Sequence, residues 1–558
     1  MTRISYIAAL YLSCCITLQA QAPSYSAEAG AEQFVPYNFD TRKQLLTDFS
    51  KVAYLEMINQ QGSTISRIKL SLKDGSGHGS IELPEALPSG RYTLRAYTRA
   101  MRNLGESAFT SLPLTVLRPG QAIAKMPMEE EQALSNLTPQ GSVRPGDNRQ
   151  GLQIQITPST NDLTQRSQGS FEVTTTDANG APVAAQLSVS IALPRLNQNA
   201  IDFTIPVRTI PTNTSTFPAE GDGLLLEGRV INQQSKAGEP GAEVYLAFPG
   251  KTALVYGAQS DASGRFSFLL PDLYSLRQIV IQAIPQAEVP ITIELAEEFD
   301  PTPAVDTSQF SLPSSWEGLA SAALINAQVS KTYKAFETAP SYTAKNPFMD
   351  IPFFGKPDAQ YFLDDYTRFP LPEFFFEVVA EVSVRGKFGE ERLQIQTEWN
   401  SPNNRFEPLL LVDGVPIFDQ GAFLKLNNKL IESTEIVSDP FWLNPHYYQG
   451  VVQISSFEHQ AYSFVTPATA LQQTYLTLLP ERNFLFPSYK SQEDSPLPDF
   501  RNTLYWNANV QTDEAGKARL QFTTSDAIGA YEIHVLGVSE KGKKGSGAAI
   551  INVAKAIE

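Results

Sequence analysis

Side chains that could carry out catalysis are few in this sequence. Only four histidines occur, at His78, His446, His459 and His534. None belongs to an H-E-x-x-H motif, which would place two zinc ligands one helical turn apart. No G-x-S-x-G motif occurs either, so no serine is expected on the sharp turn that activates a hydrolase nucleophile. The motifs of a zinc peptidase and of a serine hydrolase are therefore both missing.

One stretch, "FPGKT" at Phe248 to Thr252, ends like a phosphate-binding loop. That loop also needs a glycine five residues before Gly250, and Tyr245 stands there instead. We therefore expect no nucleotide site. No cofactor and no metal ion are predicted for the rest of the chain.

Two adjacent carboxylates, Asp364 and Asp365, lie among aromatic residues in the stretch "FLDDY". Glycoside hydrolysis uses two carboxyl groups on either side of a sugar, and aromatic side chains often support the sugar ring. A carbohydrate-active enzyme with a site between domains is therefore one alternative. The other interpretation, which we favour, is an acidic pair on the surface.

An aromatic group close to this pair is the candidate partner surface. It consists of Tyr361, Tyr366 and the run Phe374, Phe375 and Phe376. Consecutive phenylalanines are either part of a core or an exposed apolar patch that a partner covers. Exposed tyrosines would also suit a glycan, which is the alternative partner.

The N-terminus has the pattern of a secretory signal peptide over residues 1–22. A basic start at Arg3 precedes an apolar run from Ile4 to Leu18, and Ala20-Gln21-Ala22 is a small-x-small cleavage site. Both cysteines, Cys14 and Cys15, lie in the apolar run, so cleavage after Ala22 would leave no disulfide and no reactive thiol. Lipidation of Cys14 or Cys15 is the alternative. Either route predicts an exported protein, in the periplasm, at the outer membrane or on the cell surface.

Composition limits the partners further. The 558 residues include 59 acidic and 43 basic side chains, a formal charge of −16 that would repel nucleic acid. After the signal peptide no apolar run reaches the roughly 18–20 residues of a membrane helix, so no integral membrane span is expected. With 10% aromatic residues, the chain can close several cores.

Short alternating apolar runs separated by Gly, Asp, Asn and Pro predict antiparallel strands through most of the chain. One helix is also predicted, with Ser314 and Glu317 as a capping box. Its core-facing stripe would be Ala322, Ile325, Val329, Tyr333 and Phe336. The predicted segments are a sandwich at 23–119, a linker at 120–150, a second β segment at 151–223, a third β unit at 224–296, a helix and aromatic strap at 297–376, an α/β unit at 377–465 and a C-terminal sandwich at 466–558.

Three of these segments resemble one family. "LPSGRYTLRAYTRAMRN" at Leu87 to Asn103, "DANGAPVAAQLSVSI" in the second β segment, and Asp499 to Gly542 resemble macroglobulin-like sandwiches of the alpha-2-macroglobulin superfamily. The branch concerned occurs in cell-envelope proteins of the Bacteroidetes type. Complement-like members carry a thioester made from Cys and Gln. A chain without cysteine after Ala22 could not form it.

Two further resemblances concern the middle of the chain. Leu226 to Phe268 resembles the carboxypeptidase regulatory-like domain, a transthyretin-like sandwich. The stretches 412–416, "VDGVP", 431–436, "IESTEI", and 450–454, "GVVQI", resemble the plug of TonB-dependent outer-membrane receptors. The plug resemblance makes Asp413, Gly414 and Pro416 structural turn residues, and we expect Asp413 to bond its own backbone two residues on. Only about a hundred residues follow the plug-like segment, too few for the receptor barrel.

The sequence thus predicts a mainly β protein with several macroglobulin-like or transthyretin-like β-sandwiches and one small α/β plug-like domain. The expected function is non-enzymatic: an envelope scaffold or recognition protein that docks on an outer-membrane transport or assembly complex. Two alternatives stay open. One is a glycan- or peptide-binding accessory of a nutrient importer, and the other is the carbohydrate-active enzyme described above.

Overall fold

A computed structural model describes most of the chain. The described residues are 25–28, 50–121 with short gaps between 73 and 85, 151–194, 216–301 without 251–253, 310–333 without 313, 315 and 316, 341–342, 352–396 without 388, 406–480 without 444, and 482–556 without 484–485 and 490–495. The predicted signal peptide, most of the predicted linker, His78 and Phe336 lie outside them.

The chain divides into two compact units, and both are discontinuous in sequence. The first unit comprises Met1–Gly223, Glu298–Ala344 and Leu478–Glu558, and the second comprises Leu224–Glu297 and Lys345–Thr477. The protein is mainly β. Among the described residues, no helix combines the length and the apolar character needed to cross a membrane.

The first unit begins with one five-stranded sheet. Its strands are β1 (Tyr25–Glu28), β2 (Val52–Asn59), β3 (Thr64–Ser71), β4 (Gly90–Tyr97) and β5 (Thr110–Leu117). Their order in the sheet is β1-β5-β4-β2-β3, with β1 parallel to β5 and the other neighbours antiparallel. Strand β2 is buried along nearly all of its length, so both faces of the sheet are covered there.

Two distant segments build the second part of this unit. The first supplies β6 (Gln153–Pro158), β7 (Asp162–Thr164), β8 (Gln168–Thr176) and β9 (Ala185–Ala192). The strands of the second unit and a short pair, β16 (Ser341–Tyr342) with β27 (Arg482–Asn483), come next in the sequence. The C-terminal segment then supplies β28 (Thr503–Gln511), β29 (Lys517–Thr523), β30 (Gly529–Ser539) and β31 (Lys544–Ala554). The two sheets are β28-β9-β30-β31-β7 and β29-β8-β6.

These two sheets enclose one core, so the segments predicted as separate modules at 151–223 and 466–558 form a single sandwich. Val189 of β9, Phe171 of β8 and Ile533 of β30 all belong to that core. Strand β9 lies between β28 and β30, and its residue Val189 pairs with Asn507 and Val535. Neither segment has a complete set of strand partners by itself.

A helix, α1 (Glu317–Tyr333), also belongs to the first unit. Its buried residues are Ala320, Ala323, Asn326 and Ala327. The predicted core-facing stripe is wrong: Ala322 is exposed, and Ile325 and Tyr333 are 58% and 49% exposed. The helix buries small residues and an asparagine instead. Asn326 can be buried because it donates to the Asn502 side chain at 2.9 Å, and Asn502 donates to the Ala323 carbonyl at 3.1 Å.

The second unit starts with a sandwich. Its strands are β10 (Leu224–Asn232), β11 (Glu243–Phe248), β12 (Leu254–Gln259), β13 (Arg265–Leu270), β14 (Leu276–Ile284) and β15 (Ile291–Leu295). The sheets are β13-β10-β15 and β12-β11-β14-β26, where β26 (Leu471–Leu476) comes from much later in the chain. Tyr256 and Phe268 contact each other, with ring centroids 6.5 Å apart.

The remaining strands of the second unit form a mixed sheet and two hairpins. Its five-stranded sheet has the order β17-β22-β25-β20-β21 and consists of β17 (Ala359–Phe362), β20 (Leu409–Val412), β21 (Val415–Pro416), β22 (Ile431–Val437) and β25 (Val451–Ser456). The hairpins are β18 (Val382–Arg385) with β19 (Arg392–Ile395) and β23 (Phe441–Leu443) with β24 (His446–Tyr448). Two short helices, α2 (Leu371–Glu377) and α3 (Gln420–Leu424), complete the unit.

One core joins this mixed sheet to the sandwich of the same unit. Tyr245 and Val280 of the sandwich belong to the same buried cluster as Leu411 and Ile454 of the mixed sheet. The aromatic stretch predicted as a strap is part of this core as well, because Phe354, at 9% exposure, is a member of it. Strand β17 belongs to the mixed sheet, so that sheet begins before the predicted boundary at residue 377.

Candidate functional site

The Asp413–Gly414 loop joins β20 to β21. Val412 pairs with Val415, so the loop has two residues, and both have positive φ, 49° at Asp413 and 82° at Gly414. Two successive left-handed residues match the type I′ hairpin turn, whose twist suits the flanking strands. Pro416 lies in β21 at the end of the strand order, where its missing N–H removes no ladder hydrogen bond from a central strand.

We expect the Asp413 carboxylate to bond the backbone two residues further along the chain. The structure shows different partners for this carboxylate. Its Oδ1 accepts from the Ser456 N–H at 2.7 Å, and its Oδ2 accepts from the Ser456 hydroxyl at 2.8 Å and from the Tyr462 N–H at 3.3 Å. The residue is completely buried. Asp413 therefore fastens the end of β25 and the following turn to the β20 hairpin.

A serine, a histidine and an aspartate meet at this point, which are the residue types of a hydrolase triad. In a working triad the serine donates to one nitrogen of the histidine and the aspartate accepts from the other. Here the Ser456 hydroxyl donates directly to Asp413, and His459 Nδ1 lies 3.9 Å from Asp413 Oδ1, beyond hydrogen-bond distance. Ser456 is only 2% exposed. The arrangement stabilises a turn and cannot transfer the serine proton to the histidine.

The predicted partner surface is split by the fold. Phe374 and Phe375 are 1% and 0% exposed and belong to the core of the second unit, so their assignment to a surface is wrong. Helix α2 turns its third phenylalanine outward, and Phe376 is 70% exposed. Tyr366 is 40% exposed, whereas Tyr361 is half-buried and donates its hydroxyl to Glu381 at 2.7 Å.

Asp364 and Asp365 lie on an exposed 3-10 turn, Leu363–Asp365. Successive side chains of such a turn point about 120° apart, so the two carboxylates do not face each other across a sugar. Asp364 instead pairs with Arg368 one turn later. Among the described residues, no group of three or more His, Cys, Asp or Glu side chains is arranged to hold a metal ion.

Sequence reasoning missed a cluster of charged side chains on one face of the first sheet, which we call the charged face. It consists of Tyr54 and Glu56 on β2, Arg67 and Lys69 on β3, and Arg95 and Tyr97 on β4. Glu56 is the direct cross-strand partner of Arg67 and Arg95, and Tyr54 is that of Lys69 and Tyr97. The signal was present in "YLE", "RIK" and "RAY", where a charged or tyrosine side chain recurs at every second position of three strands.

These side chains are paired within the sheet. Glu56 accepts from Arg67 Nε at 3.1 Å, from Arg95 Nη2 at 2.6 Å and from the Tyr97 hydroxyl at 2.9 Å. Glu56, Lys69 and Arg95 are at most 1% exposed. Removing one partner from a buried carboxylate with several hydrogen-bonded cationic partners strongly destabilises the fold, because the other charges are left uncompensated.

Burial also changes the acid–base behaviour of this face. It raises the pKa of Tyr54 well above the ordinary value, and the carboxylates of Glu220 and Glu298 add to that effect. Burial lowers the pKa of Lys69, and its ion pair with Glu298 opposes the change. Burial likewise raises the pKa of Tyr97, with a further contribution from Glu56. The face therefore holds its tyrosines in the neutral, hydrogen-donating form.

No protein-family model matches the sequence. No curated protein sequence matches it either. Solved structures to which the chain aligns include Salmonella alpha-2-macroglobulin reacted with methylamine, at 10% identity over 98% of this chain and 40% of that one, with a TM-score of 0.22. Two others are Escherichia coli alpha-2-macroglobulin in its native conformation, at 10% identity over 90% and 38% with a TM-score of 0.20, and its trypsin-activated form, at 9% over 99% and 42% with a TM-score of 0.21.

The chain thus spans about 40% of the length of these macroglobulins. At such TM-scores the alignments do not establish a common fold, and no property of those proteins is carried over on their account. The functional proposal therefore depends on the residues of this chain.

Proposed function

We propose that the chain is a non-enzymatic scaffold or recognition protein of the bacterial cell envelope. It is exported to the periplasm or the outer membrane, and its second unit docks on an outer-membrane transport or assembly complex. The predicted signal peptide and the resemblance of residues 412–454 to a receptor plug support this location and this partner. The mainly β architecture fits a protein that works through contact surfaces.

The observation that carries the proposal is the hydrogen bonding of Asp413, Ser456 and His459. It brings together the residue types of a hydrolase triad, and the serine proton is directed to a carboxylate that holds a turn together. On the charged face, the Glu56 carboxylate likewise has a structural role, since it accepts hydrogen bonds from three side chains. Groups bound in this way would have to break structural contacts before they could react.

Exposed aromatic side chains of the second unit are candidates for the docking surface. Phe464, Phe376 and Trp442 are 71%, 70% and 64% exposed. Complete burial of one such side chain against a partner contributes about 1.5–3 kcal/mol. Of the residues predicted as a partner surface, Phe376 and Tyr366 keep this role, while Phe374 and Phe375 do not.

Co-purification from native envelope membranes tests the proposal. Tagged full-length protein should recover one or more outer-membrane proteins, identified by mass spectrometry, and Phe376→Ser or Phe464→Ser should lower the recovery several-fold. Ile550→Ser, at a position 44% exposed in the first unit, is the matched control and should leave the recovery unchanged. Recovery of no outer-membrane protein would count against the docking role. Turnover of envelope polysaccharides that is lost in Asp364→Asn or Asp365→Asn would establish the enzyme instead.

Glycan binding is a second candidate, favoured by a cluster of rings at the β23–β24 hairpin. Trp442 and Tyr447 are cross-strand partners, and the ring of Phe406 packs edge-on against Tyr447 with centroids 4.7 Å apart. Exposed rings of this kind can support the apolar face of a sugar. On a glycan array, Trp442→Ala should abolish binding if this function is correct, while Tyr361→Ala should have little effect because its hydroxyl is bonded to Glu381. An array without any signal would exclude the candidate.

A further inference from the structure

A short segment outside the strands, residues 298–300 with a bend at Phe299, lies on the charged face and is recognised through its main chain. Arg102 Nη1 donates to the Glu298 carbonyl at 2.9 Å, and Arg95 Nη2 donates to the Asp300 carbonyl at 2.9 Å. The Asp300 N–H donates to the Tyr97 hydroxyl at 2.7 Å. Side chains of the sheet and of the turn after β4 therefore bind successive peptide groups of the segment.

The side chains of the segment are also bound individually. The Glu298 carboxylate lies 2.7 Å from Lys69 Nζ, and the Asp300 carboxylate lies 3.8 Å from Arg95 Nη1. Phe299 is 5% exposed and meets the Tyr54 ring edge-on, with centroids 5.2 Å apart. The Arg67 guanidinium lies 4.7 Å from the centroid of the Phe299 ring, within cation–π range.

A second segment, residues 217–220, docks in the same region with the same two residue types. Asn103 accepts from the Phe217 N–H at 3.0 Å and donates to the Phe217 carbonyl at 2.7 Å. The Arg102 guanidinium lies 3.9 Å from the centroid of the Phe217 ring. Glu220 accepts from the Tyr54 hydroxyl at 2.9 Å. A phenylalanine and an acidic residue thus dock twice, from two places in the sequence.

The charge of the face explains why the segments are acidic. Among its side chains Arg67, Lys69 and Arg95 are basic and Glu56 is acidic, a surplus of two positive charges. Lys69 and Arg95 are almost completely buried beneath the segments, and buried cations require close anionic or hydrogen-bonding partners. The Glu298 and Asp300 carboxylates are the anionic partners that the segment at 298–300 supplies to Lys69 and Arg95.

The manner of binding makes the segment at 298–300 separable from the sheet. It is not a strand of the sheet, whose ladder runs β1-β5-β4-β2-β3 without it. Removing the segment would break its contacts with side chains of the sheet and would leave every strand pairing of that sheet in place. The sheet can therefore keep its structure while the position of the segment is taken by another peptide.

We propose that the charged face is a binding site for short peptides in which a phenylalanine is flanked by acidic residues. In this structure residues 298–300 of the chain itself occupy the site. The ligand class follows from Lys69 and Arg95 for the acids and from Tyr54 and Arg67 for the ring. A tethered segment has an effective concentration in the millimolar range, so a free peptide competes with it only weakly.

The test uses full-length protein and a fluorescein-labelled peptide with the sequence of residues 295–301, "LAEEFDP". A release variant combines Glu298→Gln, Phe299→Ser and Asp300→Asn, which keep the segment in the chain and remove its recognised groups. The peptide should bind the release variant at least tenfold more tightly than the unmodified protein. Adding Lys69→Gln to the release variant should weaken this binding at least tenfold.

A peptide of the same composition with phenylalanine moved to one end is the control for simple charge attraction. The proposal is overturned if the control binds as tightly, or if a release variant with the native circular dichroism spectrum binds no better than the unmodified protein. If the release variant does not fold, the test is made on the unmodified protein by hydrogen exchange. Excess peptide should then speed hydrogen exchange of the Asp300 amide, and an unchanged rate overturns the proposal. No envelope component takes part, so failure here is separate from failure of the docking role.

Discussion

At the scale of single residues, Asp413 shows how a motif residue can look catalytic and be structural. Its backbone takes the left-handed conformation that the hairpin needs, and its carboxylate holds Ser456 and Tyr462. Among residues other than glycine, asparagine is one of those that tolerate positive φ best, and alanine is not. Variants at this position can therefore separate the turn from the carboxylate contacts.

We expect Asp413→Asn to destabilise the second unit by about 1–2 kcal/mol, because a neutral amide replaces a charge-assisted acceptor. Asp413→Ala should cost about 3 kcal/mol or more, because it also leaves buried N–H donors unpaired and strains the turn. Hydrogen exchange at the Ser456 and Tyr462 amides measures both effects. Asp439→Asn, at an exposed position, is the control, and equal protection in Asp413→Ala and Asp439→Asn would contradict the assignment.

Buried tyrosines give the stability of the first unit a dependence on alkaline pH. Tyr531 is fully buried, and burial raises its pKa to about 12. In the unfolded chain a tyrosine ionises near 10. Between these values the unfolded state has released a proton that the folded state retains, so stability is intact below about pH 10 and declines as the pH rises towards 12.

Tyr531→Phe should remove this part of the decline, which amounts to at most about 1.4 kcal/mol per pH unit. Urea midpoints at pH 9, 10 and 11, followed by circular dichroism, test it. The unmodified protein should lose stability more steeply than the variant over this range. Parallel slopes would mean that Tyr531 titrates alike in both states.

At the scale of elements, helix α1 is the clearest departure from what its sequence pattern predicts. The stripe of larger side chains at Ile325 and Tyr333 is exposed, and the buried side carries alanines and Asn326. A close approach to a neighbour needs small side chains, and the Asn326–Asn502 bond fixes the rotation of the helix. Hydrophobic periodicity ranks residues by apolarity and cannot register either requirement.

Ala323→Leu should therefore destabilise the first unit by about 1–3 kcal/mol through overpacking. Ala322→Leu makes the same chemical change one residue earlier, at an exposed position, and should alter stability by less than about 0.5 kcal/mol. Thermal unfolding of the two variants compares them directly. A larger loss of stability in Ala322→Leu than in Ala323→Leu would mean that the stripe predicted from the sequence faces the core.

At the scale of the whole molecule, the sandwich of the first unit closes around a sequence insertion of several hundred residues. Strand β9 is paired on one side with β28 and on the other with β30. Arg166 adds a link between the same two segments, since its Nε lies 2.7 Å from Asp526 Oδ1. The two segments are thus bound to each other whether or not the chain between them is continuous.

A specific protease site introduced between Leu193 and Phe217 tests this arrangement. After cleavage, the N-terminal fragment and the remainder should elute together in size-exclusion chromatography, because β6 to β9 stay within the two sheets. Denaturant should separate them, which is the control for complete cleavage. Separation under native conditions would contradict the shared sandwich.

The sequence alone determined the features that depend on near neighbours. Alternating apolar residues and turn residues predicted the β class, the two-residue loop at Asp413–Gly414 lies where turn chemistry put it, and the helix was placed near its true position. Each of these follows from local sterics, local hydrogen bonding or side-chain period, which are written into a few consecutive residues.

Only the tertiary structure decided which strands meet and which side chains are hidden. It paired β9 with β28 and β30, buried Phe374 and Phe375, and turned the Asp413 carboxylate towards Ser456. It also brought residues 298–300 onto the charges of the first sheet. These outcomes depend on contacts between residues tens to hundreds of positions apart, and the free energy of such contacts is not encoded in any one stretch of the chain.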